Sequence, residues 1–272
     1  MQENKMGVMP VNRLLISMSA PMMLSMMVQA LYNVVDSVFV ARIEEDALTA
    51  VSMAFPLQMV MMAMGIGMGV GVNALLSRAL GEKDFDQVNK AATNGIFLSI
   101  LNYTLFLIVG LTLVEPFYRV QTDNENIISY GVTYLSICCC ISFGIYSQII
   151  FERLMQSTGK TFYNMISQGT GAILNMILDP IFIFGLLGFP RLGIAGAAIA
   201  TVTGQITAGI LSAVFNLKYN HEISLSFHGF RPDLNTIGYI YKVGIPSIIM
   251  QSIGSVMVFG MNKILGKFSS TA

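Results

Sequence analysis

The sequence predicts an all-α polytopic membrane protein. Of the 272 residues, 54% are hydrophobic and only 11% are charged, whereas soluble domains carry roughly 25% charged residues. Seven apolar stretches are long enough to cross a bilayer, which requires about 20 helical residues for about 30 Å of hydrocarbon. The fifteen basic and fifteen acidic residues cancel, so we expect the lipid bilayer, and no nucleic acid, as a partner.

These seven stretches are predicted to span the membrane in chain order. The first is too long for the apolar region of a cleavable signal and lacks a small-residue cleavage site, so we expect it to remain as a span. Connections are shortest after the first and fifth stretches and longest after the second and sixth. The predicted spans cover residues 14–40, 47–77, 94–114, 127–150, 161–188, 193–216 and 237–266.

The distribution of positive charge predicts a cytoplasmic amino terminus. In that orientation, more basic residues fall in cytoplasmic segments than in external ones, as is usual for membrane proteins. The cytoplasmic set is Lys5, Arg13, Arg78, Lys83, Lys90, Arg153, Lys160, Lys218, Arg231 and Lys242, and the external set is Arg42, Arg119, Arg191, Lys263 and Lys267.

A long polar segment, residues 217–236, divides the chain. Residues 1–216 are predicted to form a six-helix transmembrane lobe, 217–236 a cytoplasmic linker, and 237–272 the first helix of a truncated second lobe. The apolar segment that begins at Pro246 resembles the one that begins at Pro21, and internal repeats are common in polytopic membrane proteins. Without the rest of a second lobe, the polar positions of the seventh span are expected to find few partners.

Two acidic residues stand out because they lie inside predicted spans. Asp36 falls in the first span and Asp179 in the fifth, while the other acidic residues fall in predicted loops or at span ends. A charged side chain at membrane depth costs roughly 2.5–3.5 kcal/mol or more unless it faces a polar cavity. Asp36 and Asp179 are therefore candidate functional residues, with a polar clamp between helices as the alternative.

Helical spacing groups further polar side chains with these aspartates. Asp36 lies roughly 8 Å below the outer end of the first span, and Asn33 lies about one turn before it. Asn175 and Asp179 share a face of the fifth span, and Thr201 has a similar depth in the sixth because the turn between these spans is equidistant from Asp179 and Thr201. The five side chains are predicted to converge in the outer half of the membrane.

Prolines interrupt helical hydrogen bonding near this group. Pro180 directly follows Asp179 and removes the intrahelical partner of the Met176 carbonyl, and Pro21 has the same effect in the first span. Such kinks are tolerated in transmembrane helices when neighbouring groups satisfy the freed carbonyl. Pro21 and Pro180 are candidate hinges, and curvature needed for packing is an equal alternative.

Two conspicuous patterns are explained by packing. The glycines at 65, 67, 69 and 71 follow no strand, which excludes a nucleotide-binding loop. Their spacing gives two small-xxx-small pairs that allow close helix contact. The consecutive cysteines 138–140 face different directions on a helix, so neither a metal site nor a disulfide is expected.

Methionine is unusually frequent, with twenty residues. Flexible thioethers can repack around unlike ligands, so one hypothesis is that they line a binding cavity. Ordinary filling between helices or against lipid is the other. The methionines that line the first two spans are Met22, Met23, Met26, Met27, Met59, Met61, Met62, Met64 and Met68.

Four motifs carry a family resemblance. They are PMMLSMMVQALYNVVDSVFVARI in the first span, GIGMGVGVNALLSRALGEKDFDQVNKAA across the second span and its loop, LNMILDPIFIFG in the fifth span and LGIAGAAIATVTGQ in the sixth. With these motifs the chain resembles the multidrug and toxic compound extrusion (MATE) family, nearest its MepA-like bacterial branch. The resemblance implies twelve helices in two six-helix lobes around a central cavity, so this chain would supply the amino-terminal lobe and one more helix.

The resemblance also implies an ion site in the amino-terminal lobe. Carried over residue by residue, its cation- or proton-binding groups are Asp36, Asn175, Asp179, Thr201 and the backbone carbonyl of Ala197. The coupling ion would be H⁺ or Na⁺, and no cofactor or other metal is expected. Accessory candidates, which precede Asp36 in the first span, are Gln29, Tyr32 and Asn33.

By the same resemblance, the expected activity is export of drug-like small molecules, cationic or amphipathic, by antiport against H⁺ or Na⁺. No enzymatic reaction is expected. The expected location is the plasma (inner) membrane of a bacterium. Since the carboxyl-terminal lobe is missing from the sequence, the chain is not expected to transport alone.

Three other functions were weighed. A lipid-linked oligosaccharide flippase would have the same helical plan. A groove lined with several basic residues at membrane depth would indicate one, but no Lys or Arg is clearly mid-span. An intramembrane aspartyl protease also needs two membrane aspartates, but its YD and GxGD motifs are absent from the sequence. A seven-helix receptor would place its amino terminus outside, against the distribution of charge.

Overall fold

The computed structural model describes residues 5–225, 227 and 230–265, so the last residues of the predicted segment 237–272 lie outside it. The described residues are almost entirely helical. Their α-helices are α1 Lys5–Val8, α2 Val11–Ala41, α3 Glu45–Glu82, α4 Phe85–Thr112, α5 Val114–Arg119, α6 Glu125–Cys140, α7 Phe143–Ser157, α8 Thr161–Phe184, α9 Ile194–Tyr219 and α10 Leu234–Leu265, with a 3₁₀ turn at Leu186–Gly188.

The helices form a multi-pass membrane protein. Among the described residues, α2, α3, α4, α8, α9 and α10 are each long and apolar enough to cross a bilayer. Helices α6 and α7 together make a further span that is bent by 45°. The predicted all-α polytopic class is therefore confirmed.

The predicted fourth span, 127–150, is not one continuous helix. Helix α6 ends at Cys140, Ile141 leaves the helical region with φ −108° and ψ 23°, and α7 begins at Phe143. The prediction of an uninterrupted span was wrong, because an apolar run predicts burial in lipid and carries no information about the direction of the backbone.

Several helices extend beyond the predicted spans. Helix α3 continues to Glu82, whose carboxylate lies 2.9 Å from Nε of Arg78, one turn earlier. Helix α9 ends at Tyr219 and α10 begins at Leu234, so both helices enter the predicted linker 217–236. The division into two lobes stays a prediction.

Tight turns set consecutive helices antiparallel. Lys83, with φ 59°, ends α3 in the left-handed region, and the Asp84 carboxylate then accepts a hydrogen bond from the Gln87 backbone N–H (3.0 Å) to cap α4. Gly185, with φ 73°, ends α8, and a Cβ there would lie 2.8 Å from the Arg191 backbone nitrogen. The turn requires glycine, and it places the end of α8 beside the start of α9.

Helix α3 is the centre of the bundle, and its glycines form two seams. Gly65 and Gly69 face α7, while Gly67 and Gly71 face α10. A Cβ on Gly71 would lie 2.1 Å from the Ile240 carbonyl oxygen of α10, so only glycine allows this approach. The prediction that these glycines serve helix packing is confirmed.

The last helix is better anchored than the sequence indicated. Helix α10 packs along α3, and Ser255 Oγ donates a hydrogen bond to the Pro56 carbonyl oxygen (2.6 Å). Away from this seam, Gln251 bonds to Ser247 of its own helix, and the buried side-chain nitrogen of Asn262 has no partner among the described residues. The expectation of few partners was wrong along α3 and correct for Asn262.

The first span, α2, has few buried residues. These are Ser25, Asp36 and Val40, and the helix packs mainly along α8. Many of its other apolar side chains are exposed and suit lipid or another protein surface. An ionisable residue is thus one of the few side chains that this helix buries.

Candidate functional site

A cavity of about 430 Å³ lies between α2, α3, α7, α8 and α9. Cavities that hold drug-sized ligands measure about 300–1,000 Å³. Met26 of α2 and Met62 of α3 contribute apolar surface, so two of the noted methionines do line a cavity. Its polar lining residues are Gln29, Tyr32, Asn33, Gln148, Glu152, Arg153, Gln168, Asn175, Thr201 and Gln205.

The two predicted aspartates lie just beyond one end of this cavity. Asp179 follows the lining residue Asn175 by one turn of α8 and is fully buried, and Asp36 on α2 is 8% exposed. Because α2 packs along α8, their carboxylates lie close enough to interact electrostatically. The structure therefore brings Asp36 and Asp179 together, as helical spacing predicted.

Asn175 links Asp179 to α9. With its amide oriented to satisfy its neighbours, Asn175 Nδ2 donates to Asp179 Oδ2 (3.0 Å). Its Oδ1 accepts from the backbone N–H (3.0 Å) and the hydroxyl (3.3 Å) of Thr201. In a regular helix that N–H bonds to the carbonyl of Ala197, the residue one turn earlier. The Ala197 carbonyl, which lies in the buried part of α9, therefore shares this N–H donor with Asn175.

Each aspartate keeps one oxygen without a protein partner. Asp36 Oδ1 and Asp179 Oδ1 are both buried, and neither has a hydrogen-bond partner among the described residues. A buried carboxylate without compensation is costly, and either a proton or a cation would satisfy these oxygens. Carboxylate oxygens suit a hard cation such as Na⁺ better than a soft metal.

The accessory candidates line the cavity itself. Gln29 and Tyr32 are half-buried, and Asn33 is exposed. They lie one and two turns before Asp36 on α2, so they extend the polar surface from the aspartates into the cavity.

The two candidate hinge prolines lie within unbroken helices. Helix α2 continues through Pro21 and α8 through Pro180. The Pro21 carbonyl accepts a hydrogen bond from Ser25 Oγ (3.0 Å). A hinge role for either proline stays a prediction.

Sequence reasoning missed one buried carboxylate in the cavity, Glu152. It was assigned to a loop because the fourth span was ended at residue 150, whereas α7 continues to Ser157 and the chain turns at Gly159, with φ 79°. Glu152 is only 8% exposed. Gln148, four residues earlier on the same helical face, was the available signal, together with Gly159 as a helix stop.

Glu152 is held by amides from two helices. Its Oε1 accepts from Gln148 Nε2 (2.9 Å) and its Oε2 from Gln168 Nε2 of α8 (2.6 Å). The Asn164 side chain of α8 donates to the Glu152 backbone carbonyl (2.8 Å). Unlike the two aspartates, this carboxylate has a neutral donor on each oxygen.

Comparison with known families identifies the protein class. The MatE family model matches residues 21–181, more than half of the chain and a range that includes both Asp36 and Asp179. The chain belongs to the MatE family. The resemblance drawn from the four sequence motifs is confirmed, and membership of MatE disfavours the protease, receptor and flippase alternatives.

A curated MatE relative is similar over almost the whole chain. It is the "Multidrug export protein MepA" of Staphylococcus aureus (strain bovine RF122 / ET3-1), 23% identical over 264 residues. The match covers 97% of this chain and 58% of the relative. The chain thus spans a little over half of the length of this relative.

Solved MatE structures in two states match the fold equally well. One, described as the outward-facing conformation of a multidrug resistance MATE family transporter, has a TM-score of 0.84 and 26% identity, covering 90% of this chain and 54% of that one. Another, described as the inward-facing conformation of such a transporter, has a TM-score of 0.85 and 25% identity, covering 95% and 58%. The MatE helices of this chain resemble both states to the same degree.

Proposed function

We propose that this MatE chain is the amino-terminal part of an exporter that expels small organic molecules by antiport against H⁺ or Na⁺. The observation that carries the proposal is the pair of buried aspartates at the end of a drug-sized cavity, each with one oxygen that has no partner among the described residues. The name of the staphylococcal relative, a multidrug export protein, supports the same activity.

The aspartate pair provides a physical basis for coupling. Two facing carboxylates repel each other, and the repulsion is relieved when a proton or a sodium ion binds to the pair. Because α2 packs mainly along α8, this relief changes how α2 lies against α8. Both helices line the cavity, so ion binding from outside would narrow it and release the substrate.

Transport also requires a second lobe. The similarity of this fold to both outward-facing and inward-facing relatives supports a lobe that keeps its shape while access alternates. Such a lobe needs a counterpart to close the cavity from each side in turn. We therefore expect the 272-residue chain alone to insert into membranes without exporting substrate.

We place the protein in a bacterial plasma membrane with the amino terminus and the linker 217–236 in the cytoplasm. The excess of basic residues in the inner segments supports this orientation. Impermeant thiol labelling of single cysteines on a cysteine-free background tests it. Labelling of either segment from outside intact cells would contradict the proposed orientation.

Efflux in cells tests the proposed activity. The substitutions Asp36→Asn and Asp179→Asn, made in the full-length protein, should each reduce ethidium efflux to the vector level while membrane expression is kept. Asp123→Asn, which changes an exposed aspartate outside the helices, should leave efflux unchanged. Normal efflux by both membrane variants would refute the role of the pair.

A further inference from the structure

Glu152 is a buried carboxylate that the proposed coupling mechanism does not use. Its two oxygens accept hydrogen bonds from Gln148 of α7 and Gln168 of α8, so both the position and the direction of the carboxylate are fixed. In the part of the chain that the structure describes, Glu152 takes part in none of the ion pairs. Two neutral amides therefore orient the carboxylate without providing a positive charge to pair with it.

The neighbouring positive charge points to a different wall of the cavity. Arg153 lies against α3, where its Cγ would be 2.7 Å from a Cβ built on Gly69. Its Nη1 donates to Gln156 Oε1 (2.6 Å). Glu152 bonds to α8 and Arg153 packs against α3, so the two neighbouring charges are directed at different helices and form no ion pair with each other in the described part of the chain.

The surroundings of Glu152 suit a large organic ion. Ile145 and Ile149 of α7, with Met26 and Met62, supply apolar surface within the same cavity. Tyr32 supplies an aromatic ring, and the face of such a ring attracts cations. A mostly apolar cavity with a few fixed polar groups is the usual form of a ligand site.

Glu152 is also remote from the aspartate pair. Its partner Gln168 and the coupling residue Asp179 are eleven residues apart on α8, or about 16 Å at 1.5 Å per residue. A ligand at Glu152 therefore need not displace the ion from Asp36 and Asp179, although both sites border one cavity.

We infer that Glu152 binds the positively charged group of an amphipathic organic cation in this cavity, and so selects cationic substrates over neutral ones. This inference rests on the proposed export function and names its substrate class. The amides of Gln148 and Gln168 position the carboxylate, and the methionines and isoleucines contact the apolar part of the ligand.

Binding of tetraphenylphosphonium to the purified full-length protein in detergent tests the inference. Glu152→Gln should weaken binding about 10- to 100-fold, the range for losing a contact with a charged group. Glu152→Met is a second variant that removes the charge. Unlike glutamine, methionine cannot form new amide hydrogen bonds with Gln148 and Gln168. Glu45→Gln, which changes an exposed glutamate at the start of α3 that does not line the cavity, is the matched control and should bind as tightly as the unmodified protein.

Three results would overturn the inference: no binding by the unmodified protein, unchanged binding by both Glu152 variants, or equal weakening by Glu45→Gln. Melting temperatures of all variants show whether each is folded. Failure here is distinguishable from failure of the proposed function, since Asp36→Asn should abolish efflux and keep tetraphenylphosphonium binding. If Asp36→Asn lost efflux while Glu152→Gln bound tetraphenylphosphonium normally, the proposed role of Asp36 in coupling would stand. The inference that Glu152 binds the substrate would be refuted.

Discussion

The two ends of the cavity hold carboxylates in different ways. At one end, Asp36 and Asp179 face each other, and each has a buried oxygen with no partner in the described chain. At the other end, both oxygens of Glu152 accept amide hydrogen bonds. A buried carboxylate oxygen without a partner can take up and release an ion, whereas a carboxylate with an amide donor on each oxygen is held in one position. The difference separates a coupling site from a binding site.

Helix α8 connects the two ends. Gln168, Gly171, Asn175 and Asp179 recur at spacings of three and four residues, so they share one face of the helix. Gln168 donates a hydrogen bond to Glu152 at one end, and Asn175 donates one to Asp179 at the other. One helical face therefore carries both sites.

The largest expected contrast is kinetic. In reconstituted full-length protein, Asp179→Asn should reduce the maximal rate of ethidium export to background, because coupling is lost. Glu152→Gln should raise the apparent KM about 10-fold or more and leave the maximal rate within about twofold, because a binding contact is lost. Initial rates over a range of ethidium concentrations separate these outcomes. If Glu152→Gln abolished the maximal rate, the distinction between the two ends would fail.

Thermal stability should change in opposite directions at the two ends. Asp179→Asn removes a repelling buried charge and should stabilise the protein by about 1–2 kcal/mol in sodium-free buffer at alkaline pH. Glu152→Ala leaves two amides without an acceptor and should destabilise it by about 1–3 kcal/mol. Melting in detergent, with Asp123→Asn as reference, measures both. Shifts of the same sign would contradict the comparison.

A glycine beside Asn175 allows the aspartate end to be perturbed alone. A Cβ on Gly204 of α9 would lie 2.7 Å from the Gly171 carbonyl oxygen and 3.2 Å from Asn175 Cβ. Gly204→Ala should therefore separate α8 from α9, at a cost of about 1–3 kcal/mol, and impair export while tetraphenylphosphonium binding at Glu152 persists. Gly169→Ala on α8, where a Cβ meets nothing within 4 Å, is the matched control. Equal loss of binding in Gly204→Ala would show that the ends are not independent.

The sequence predicted the aspartate end well, and the reason is physical. Asp36 and Asp179 are conspicuous because a charge inside an apolar run is costly, and helical spacing then adds Asn175 and Thr201. Glu152 escaped because hydropathy falls before α7 ends, so a buried carboxylate in the last turns of a span was assigned to a loop.

Two features of the fold could not be predicted, because composition and spacing do not specify tertiary packing. The 45° bend between α6 and α7 lies in a continuous apolar run, so composition does not mark it. The glycines of α3 indicated close contacts, but their partners depend on tertiary packing. Only the structure assigns Gly67 and Gly71 to α10.

The smallest effect is expected at an exposed carboxylate, Asp233, at the start of α10. Hydrogen bonds from the Thr236 hydroxyl (2.6 Å) and the Asn235 backbone N–H (3.2 Å) lower the pKa of Asp233. A depressed pKa in the folded state means that the contribution to stability is present above the ordinary value of about 4 and is lost as the pH falls through the folded-state value. Asp233→Asn should therefore leave export unchanged and reduce the pH dependence of melting only in acid. A loss of export in this variant would show that carboxylates outside the cavity also matter.

Gradient-driven transport in proteoliposomes tests the central claim most directly. The full-length protein and the double variant Asp36→Asn, Asp179→Asn are each reconstituted into proteoliposomes, and an H⁺ or Na⁺ gradient is imposed across the membrane. Ethidium transport and tetraphenylphosphonium binding are measured on the same preparations. We expect gradient-driven transport by the unmodified protein and none by the double variant, which should still bind tetraphenylphosphonium. Gradient-driven transport by the double variant would contradict this expectation.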